Sequence, residues 1–183
     1  MSNQKLLKSI KDHTEQYRQR LKQISEEEFQ QSPLDGGWSY SEVYSHIFQS
    51  NLGSVVAMEK CALGTGVRST DRLDWMVWLI LFFGKFPPVK LKAPEKVAAM
   101  VKKISKEEAS NLIVKFSQRL DSVYPNLKNA SSDCKVKHPR LGLLNGKQWF
   151  RFIDIHTRHH LKQLDRISAS MKNQSFSSST TTS

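Results

Sequence analysis

His156 and His160, one helical turn apart, are the residues of this chain best placed to do chemistry. They stand in the run Asp154-Ile155-His156-Thr157-Arg158-His159-His160-Leu161-Lys162-Gln163. In a helix, residues four apart share a face and stack one above the other. Two imidazoles so placed can grip one divalent metal ion, and a catalytic ion takes a third protein ligand and keeps a position open. Neutral imidazole serves several divalent metals, with zinc or nickel expected first here. Burying such a pair without partners, on a face that should carry Leu or Ile, costs about 1–3 kcal/mol per ring. A metal removes that cost, so the pair reads as ligands rather than as a hydrogen-bonded core pair.

The candidate third ligand is His46, 110 residues before His156 and inside a second helical segment. Glu42 lies one turn before His46 and is the candidate catalytic carboxylate, if the helix cap leaves it free. A zincin protease carries Glu directly after the first histidine of its helical pair. Here that position is Thr157, which excludes the zincin mechanism.

These side chains need long helices to hold them. Leu6, Leu7, Ile10, Tyr17, Leu21 and Ile24 make a helical stripe over Asn3 to Ile24, and Ser32 to Gly37 breaks it. Ser39 and Glu42 form a capping box that opens a second helix reaching about Leu63, where Gly64 or Gly66 ends it. A helical piece follows at about Asp71 to Phe83. Ser105 and Glu108 open a third main helix ending before Pro125, and Asn145 with Gln148 opens the last. On that last helix Trp149, Phe152, Ile153, His156, His160, Leu164 and Ile167 recur at spacings of three or four, so both histidines face inward. Lys128 to Leu144 reads as irregular. Four main helices with a long connection between the second and third predict an all-α four-helix bundle with a crossover carrying extra short helices. The short loop after the first helix predicts that the first two main helices are antiparallel neighbours.

The length of 183 residues suits one domain, taken as 1–172, followed by a Ser/Thr-rich tail at 173–183 that is expected to be disordered. The net charge of +11 is uneven: Lys85 to Lys137 holds twelve basic and five acidic residues. Such a patch can attract nucleic acid, but no helix-turn-helix, zinc-finger or aromatic platform accompanies it, so nucleic-acid binding is not expected. Cys61 and Cys134 lack the spacing of a secreted disulfide framework, and the N-terminus lacks a signal-peptide core. The apolar run Trp75 to Phe83 is half of what crossing a bilayer needs and reads as a buried helix or an oligomer contact. A cytoplasmic protein, not membrane-bound, is the expectation.

Two blocks of residues resemble a known family. Gly37-Trp38-Ser39-Tyr40-Ser41-Glu42-Val43-Tyr44-Ser45-His46-Ile47 is similar to the Trp-Ser-x-x-Glu-x-x-x-His block of the DinB/YfiT-like superfamily. His138-Pro139-Arg140-Leu141-Gly142, followed by His156-Thr157-Arg158-His159-His160-Leu161-Lys162-Gln163, resembles its closing His-x-x-His-His-x-x-Gln block. The resemblance spans about Gln4 to Met171. It implies an up-down-down-up four-helix bundle, a homodimer, and one divalent metal held by His46, His156 and His160. His159 is then a neighbour pointing off the shared axis, and Gln163 a supporting or packing residue. The segment from Gly66 to Lys103 departs from a minimal member of the family.

Two activities follow from the resemblance. One is metal-dependent hydrolysis of a small amide or ester, and the other is thiol S-transfer in detoxification. Against them stands a non-catalytic reading, a metal-stapled bundle or a nucleic-acid-associated stress protein whose binding would weaken steeply with salt.

Overall fold

A computed structural model of the chain describes residues 2–34, 36–87 and 101–179. Among these residues the α-helices are α1 (Asn3–Gln23), α2 (Glu26–Gln30), α3 (Tyr40–Ala62), α4 (Trp75–Phe83), α5 (Lys106–Val123) and α6 (Gly146–Ser179), with a 3-10 turn at Tyr124–Asn129 after α5. Three short strands, β1 (Val67–Arg68), β2 (Cys134–His138) and β3 (Gly142–Asn145), form one antiparallel sheet in the order β1-β2-β3.

Each main helix begins where the sequence can satisfy its free N–H groups. The Ser39 hydroxyl accepts from Glu42 N while a Glu42 carboxylate oxygen accepts from Ser39 N at 2.9 Å. Ser105 and Glu108 repeat that reciprocal box on α5. On α6 the roles fall to Asn145, whose Oδ1 accepts from Gln148 N at 3.0 Å, and Gln148, whose Oε1 accepts from Asn145 N at 2.8 Å. These bonds satisfy groups that the first helical turn leaves unpaired. At the other end of α3, Gly64 takes φ +71° and Thr65 N returns to Lys60 O, which stops the helix.

Contacts between named residues settle the directions. From α1 to α6, Ser9 meets Asp154, Tyr17 meets Thr157 and Arg20 meets Asp165, so those two helices run parallel. From α3 to α5, Phe48 meets Phe116 and Glu59 meets Arg119, again in parallel order. From α3 to α6, His46 meets His160 and Asn51 meets Thr157, so this pair is antiparallel. The chain is therefore an all-α, up-down-down-up four-helix bundle, with the sheet a minor addition at one end. Its core is led by Tyr17, Tyr44, Phe48, Phe116 and Phe150, all fully buried.

The structure corrects several expectations. The first two main helices are antiparallel, but they meet across the core rather than side by side. Tyr17 stands edge-on to Tyr44 and Phe48 at 5.3 and 5.2 Å, and α1 packs chiefly on α6 and α5. The connection through α2 is long enough to span that diagonal. Residues 128–144 are not irregular: they hold β2 and β3, and Val67–Arg68 adds a third strand by pairing with Cys134 and Lys135. The short helix starts at Trp75 rather than Asp71, because the Asp74 carboxylate accepts from Met76 N and Val77 N. Nor is that helix buried. Val77 and Ile80 are buried and Leu79 and Leu81 half-buried, while Trp75, Met76, Trp78, Phe82 and Phe83 are exposed. The last helix extends to Ser179. Residues 88–100 of the crossover and 180–183 of the expected tail lie outside the described residues. Among the described residues no helix is long and apolar enough to cross a membrane.

Candidate metal centre

The bundle brings together residues that the sequence keeps far apart. One ligand-type nitrogen from each of His46, His156 and His160 lies within 4.8 Å of the others. His46 comes from the second turn of α3, the two others from the middle of α6, and α3 packs more extensively on α6 than on any other element. The ring centroids are 5.2 Å apart for His46 and His156, 4.9 Å for His46 and His160, and 4.6 Å for His156 and His160. His156 and His160 are buried, and His46 is partly covered, with Trp38 at 5.1 Å.

Hydrogen bonds set the orientation of the two α6 rings. His160 Nδ1 is 2.6 Å from Gln163 Oε1, and His156 Nδ1 is 3.4 Å from Asn51 Oδ1. The Asn51 amide is oriented in turn by Thr157. The Thr157 hydroxyl donates to Ile153 O at 2.7 Å, so its oxygen can only accept, and Asn51 Nδ2 donates to it at 2.9 Å. That leaves Asn51 Oδ1 facing the His156 ring. Both Nδ1 atoms then carry the hydrogen, and both Nε2 lone pairs point inward, 3.1 Å apart.

This arrangement does not satisfy itself. A proton on either Nε2 of a neutral ring would strip the matching Nδ1 and set a bare nitrogen against an amide oxygen. Adding a second proton to a ring is disfavoured. Burial, with the neighbouring imidazoles second, holds His156 and His160 well below the ordinary imidazole range. Burial, with His159 second, brings His46 down to about 4. The donor set suits a divalent cation: neutral imidazoles, converging lone pairs, and amide oxygens behind them to fix tautomer and tilt. Among the described residues no fourth His, Cys, Asp or Glu joins the group.

Neither His159, expected as a neighbour, nor Glu42, the candidate catalytic carboxylate, is one of these three ligands. His159 is exposed, ring to ring with Phe86 at 5.1 Å. Glu42 stands in the α3 cap, where its Oε2 accepts from both Ser39 N and Ser39 Oγ. Gln163 does support His160. The sequence reading missed Asn51 and Thr157. An Asn on the covered side of α3, and a Thr between the paired histidines, are the signals that could have found them.

His138 lies behind the site. Its ring packs on Phe152 at 4.6 Å, and Phe152 stacks on His156 at 5.0 Å. His138 Nδ1 accepts from Arg140 N and Leu141 N, which ties the β2–β3 turn.

The sequence profile of the DinB superfamily matches residues 9–164. This chain belongs to the DinB superfamily. No curated protein sequence matches it. Three solved structures share the fold at low identity. YfiT from Bacillus subtilis, described as "a probable metal-dependent hydrolase with an unusual four-helix bundle topology", is 15% identical with a TM-score of 0.54, over 94% of this chain and 90% of that one. A mycothiol-dependent maleylpyruvate isomerase is 16% identical with a TM-score of 0.58, over 87% of this chain and 59% of its own. The four-helix bundle protein TT2238 is 16% identical with a TM-score of 0.50, over 90% of this chain and 99% of that one.

Proposed function

We propose that this DinB-superfamily protein is a metal-dependent enzyme that holds zinc or nickel through His46, His156 and His160 and hydrolyses a small amide or ester. The observation that carries the reading is the convergence of three imidazoles, with the lone pairs of His156 and His160 turned inward, and no fourth protein ligand among the described residues. A structural zinc site closes its fourth position with protein, whereas a catalytic one leaves it for water or substrate. An ion held there would supply a Lewis acid that polarises a carbonyl or activates water. The chain's own part is to keep the imidazoles neutral by burial and to orient them through Asn51 and Gln163. Glu42 is assigned the acid-base role, through the carboxylate oxygen that the cap bonds do not occupy.

Thiol S-transfer is the second reading, favoured by the fold shared with the mycothiol-dependent isomerase. The homodimer belongs to the proposal as well, with the exposed apolar face of α4 as the surface on offer.

The test is metal analysis of protein purified without chelators or immobilised metal, beside His156→Ala, with assays on ester, amide and thiol–electrophile panels. One metal per chain in the wild type, absent from the variant and matched by activity on esters or amides, supports hydrolysis. Turnover of the thiol panel alone moves the function to S-transfer. A wild type that holds no metal and gains none from zinc or nickel ends the proposal.

A further inference from the structure

Cys61 and Cys134 stand far apart in the sequence and at first sight are unrelated thiols. Folding brings them together at the end of the bundle that carries the sheet. Cys61 is on the last turn of α3 and Cys134 is the first residue of β2, and both are buried and unbridged. Cys134 is close enough to Cys61 to help raise its thiol, second to burial. Cys134 Sγ also lies 4.0 Å from the carbonyl of Lys60, the residue before Cys61, and Cys61 Sγ lies 4.0 Å from the carbonyl of Leu144 on β3. Two glycines keep the backbone tight around the pair. A Cβ at Gly66 would stand 3.0 Å from Cys134 Sγ, and one at Gly146 would stand 3.2 Å from Cys61 Cβ.

We propose that Cys61 and Cys134 are an oxidisable pair that a hydroperoxide converts into a disulfide tying the end of α3 to β2. The thiolate of one cysteine attacks a peroxide oxygen, the O–O bond breaks, and a sulfenic acid forms as hydroxide leaves. The second thiol then attacks that sulfur, the S–S bond forms, the S–O bond breaks, and water leaves. Two thiols lose two electrons and two hydrogens, and one hydrogen peroxide becomes two waters. A small oxidant is required because neither sulfur faces solvent.

The role is to staple, not to react with substrate. Cys61 is fifteen residues beyond His46 on the same helix, a rise of roughly 22 Å. The bond would close the long loop between α3 and β2 and so restrict the unfolded chain. Burial, with Cys134 second, pushes the Cys61 thiol up to about 11, so closure should be slow at neutral pH and faster as pH rises.

The experiment treats the reduced full-length protein with hydrogen peroxide at pH 7 and at pH 8.5. Thiols are counted after denaturation, and peptides are mapped without reduction. The expected result is a fall from two thiols to none, a Cys61–Cys134 linked peptide, faster closure at the higher pH, and a raised Tm that reductant reverses. Cys61→Ser and Cys134→Ser should each lose the linked peptide and the Tm rise. Two thiols persisting in the wild type, sulfinic acids without a linked peptide, or covalent dimers in place of the internal bond would each overturn the proposal. Metal content is read in the same samples, so a failure here is separate from a failure of the three-histidine site.

Discussion

Asn51 and His156 face each other across the α3–α6 interface, Oδ1 to Nδ1 at 3.4 Å, and the Asn51 amide is held there by Thr157. The ring that presents its lone pair to the site is thus aimed from the opposite helix. Gln163 does the same for His160 from within α6, at 2.6 Å. Removing either amide should weaken metal binding without abolishing it. Asn51→Ala and Gln163→Ala are each expected to lower zinc affinity about 10–100-fold, measured by competition with a chromophoric chelator. His156→Ala should bind none. Wild-type affinity in both amide variants would show that the rings need no such support.

Thr157 is the joint of that arrangement. In Thr157→Val the hydroxyl that accepts from Asn51 is gone, and a buried amide loses its partner at a cost of about 1–3 kcal/mol. Chemical denaturation should show this loss, together with weaker metal binding as Asn51 rotates. Thr157→Ser, which keeps the hydroxyl, should recover most of both. The Tyr17 hydroxyl bonds the Thr157 carbonyl, not its side chain, so helix docking is left intact in either variant.

Glu42 has two possible duties, and one substitution separates them. Glutamine at the third helical position can still accept in a capping box, whereas alanine cannot. Glu42→Gln should leave Tm close to wild type and lower kcat about 100-fold or more if the carboxylate moves the proton. Glu42→Ala should lose stability as well, about 1 kcal/mol. An unchanged kcat in Glu42→Gln would confine this residue to the cap.

His138 predicts acid sensitivity. Burial, with Arg140 second, lowers its folded value to about 4, against an ordinary 6.5. Below pH 6.5 the unfolded chain takes up a proton that the folded chain refuses, so stability falls as pH drops from about 6.5 to about 4. Above that window the residue contributes no slope. Asparagine can accept the same two turn N–H groups and does not titrate. Metal-free His138→Asn should therefore show a shallower decline in denaturation free energy between pH 7 and pH 4.5. Parallel profiles would remove His138 from the account.

How much of this was legible beforehand depended on the range of the interaction. The caps at Ser39, Ser105 and Asn145 are local and could be read directly, as could the inward face of His156 and His160. The match of His46 to them needed two blocks in the right order. The sheet was not legible, because β1 is two residues long and its partner strand lies beyond both α4 and α5. A period of two in Cys134-Lys135-Val136-Lys137 was its one local trace. The contact between Cys61 and Cys134 depends on that sheet and was hidden with it. The exposure of Trp75 and Phe82 was hidden for another reason: an apolar run states what would like to be covered, not whether anything covers it.

Because α3 and α6 pack directly on each other, the stretch of chain between α3 and α5 is not needed to bring the histidines together. It contributes α4, whose C-terminal end is tied to α6 by Arg151 and Arg158 bonding the Leu81 and Gly84 carbonyls while the buried Asp154 holds both guanidinium groups. Among the described residues the same stretch is held by β1 on β2 and by Ile104 N donating to Ser41 Oγ. The ligands therefore sit on a frame that this stretch does not build, much as a tool's shank is independent of its bit.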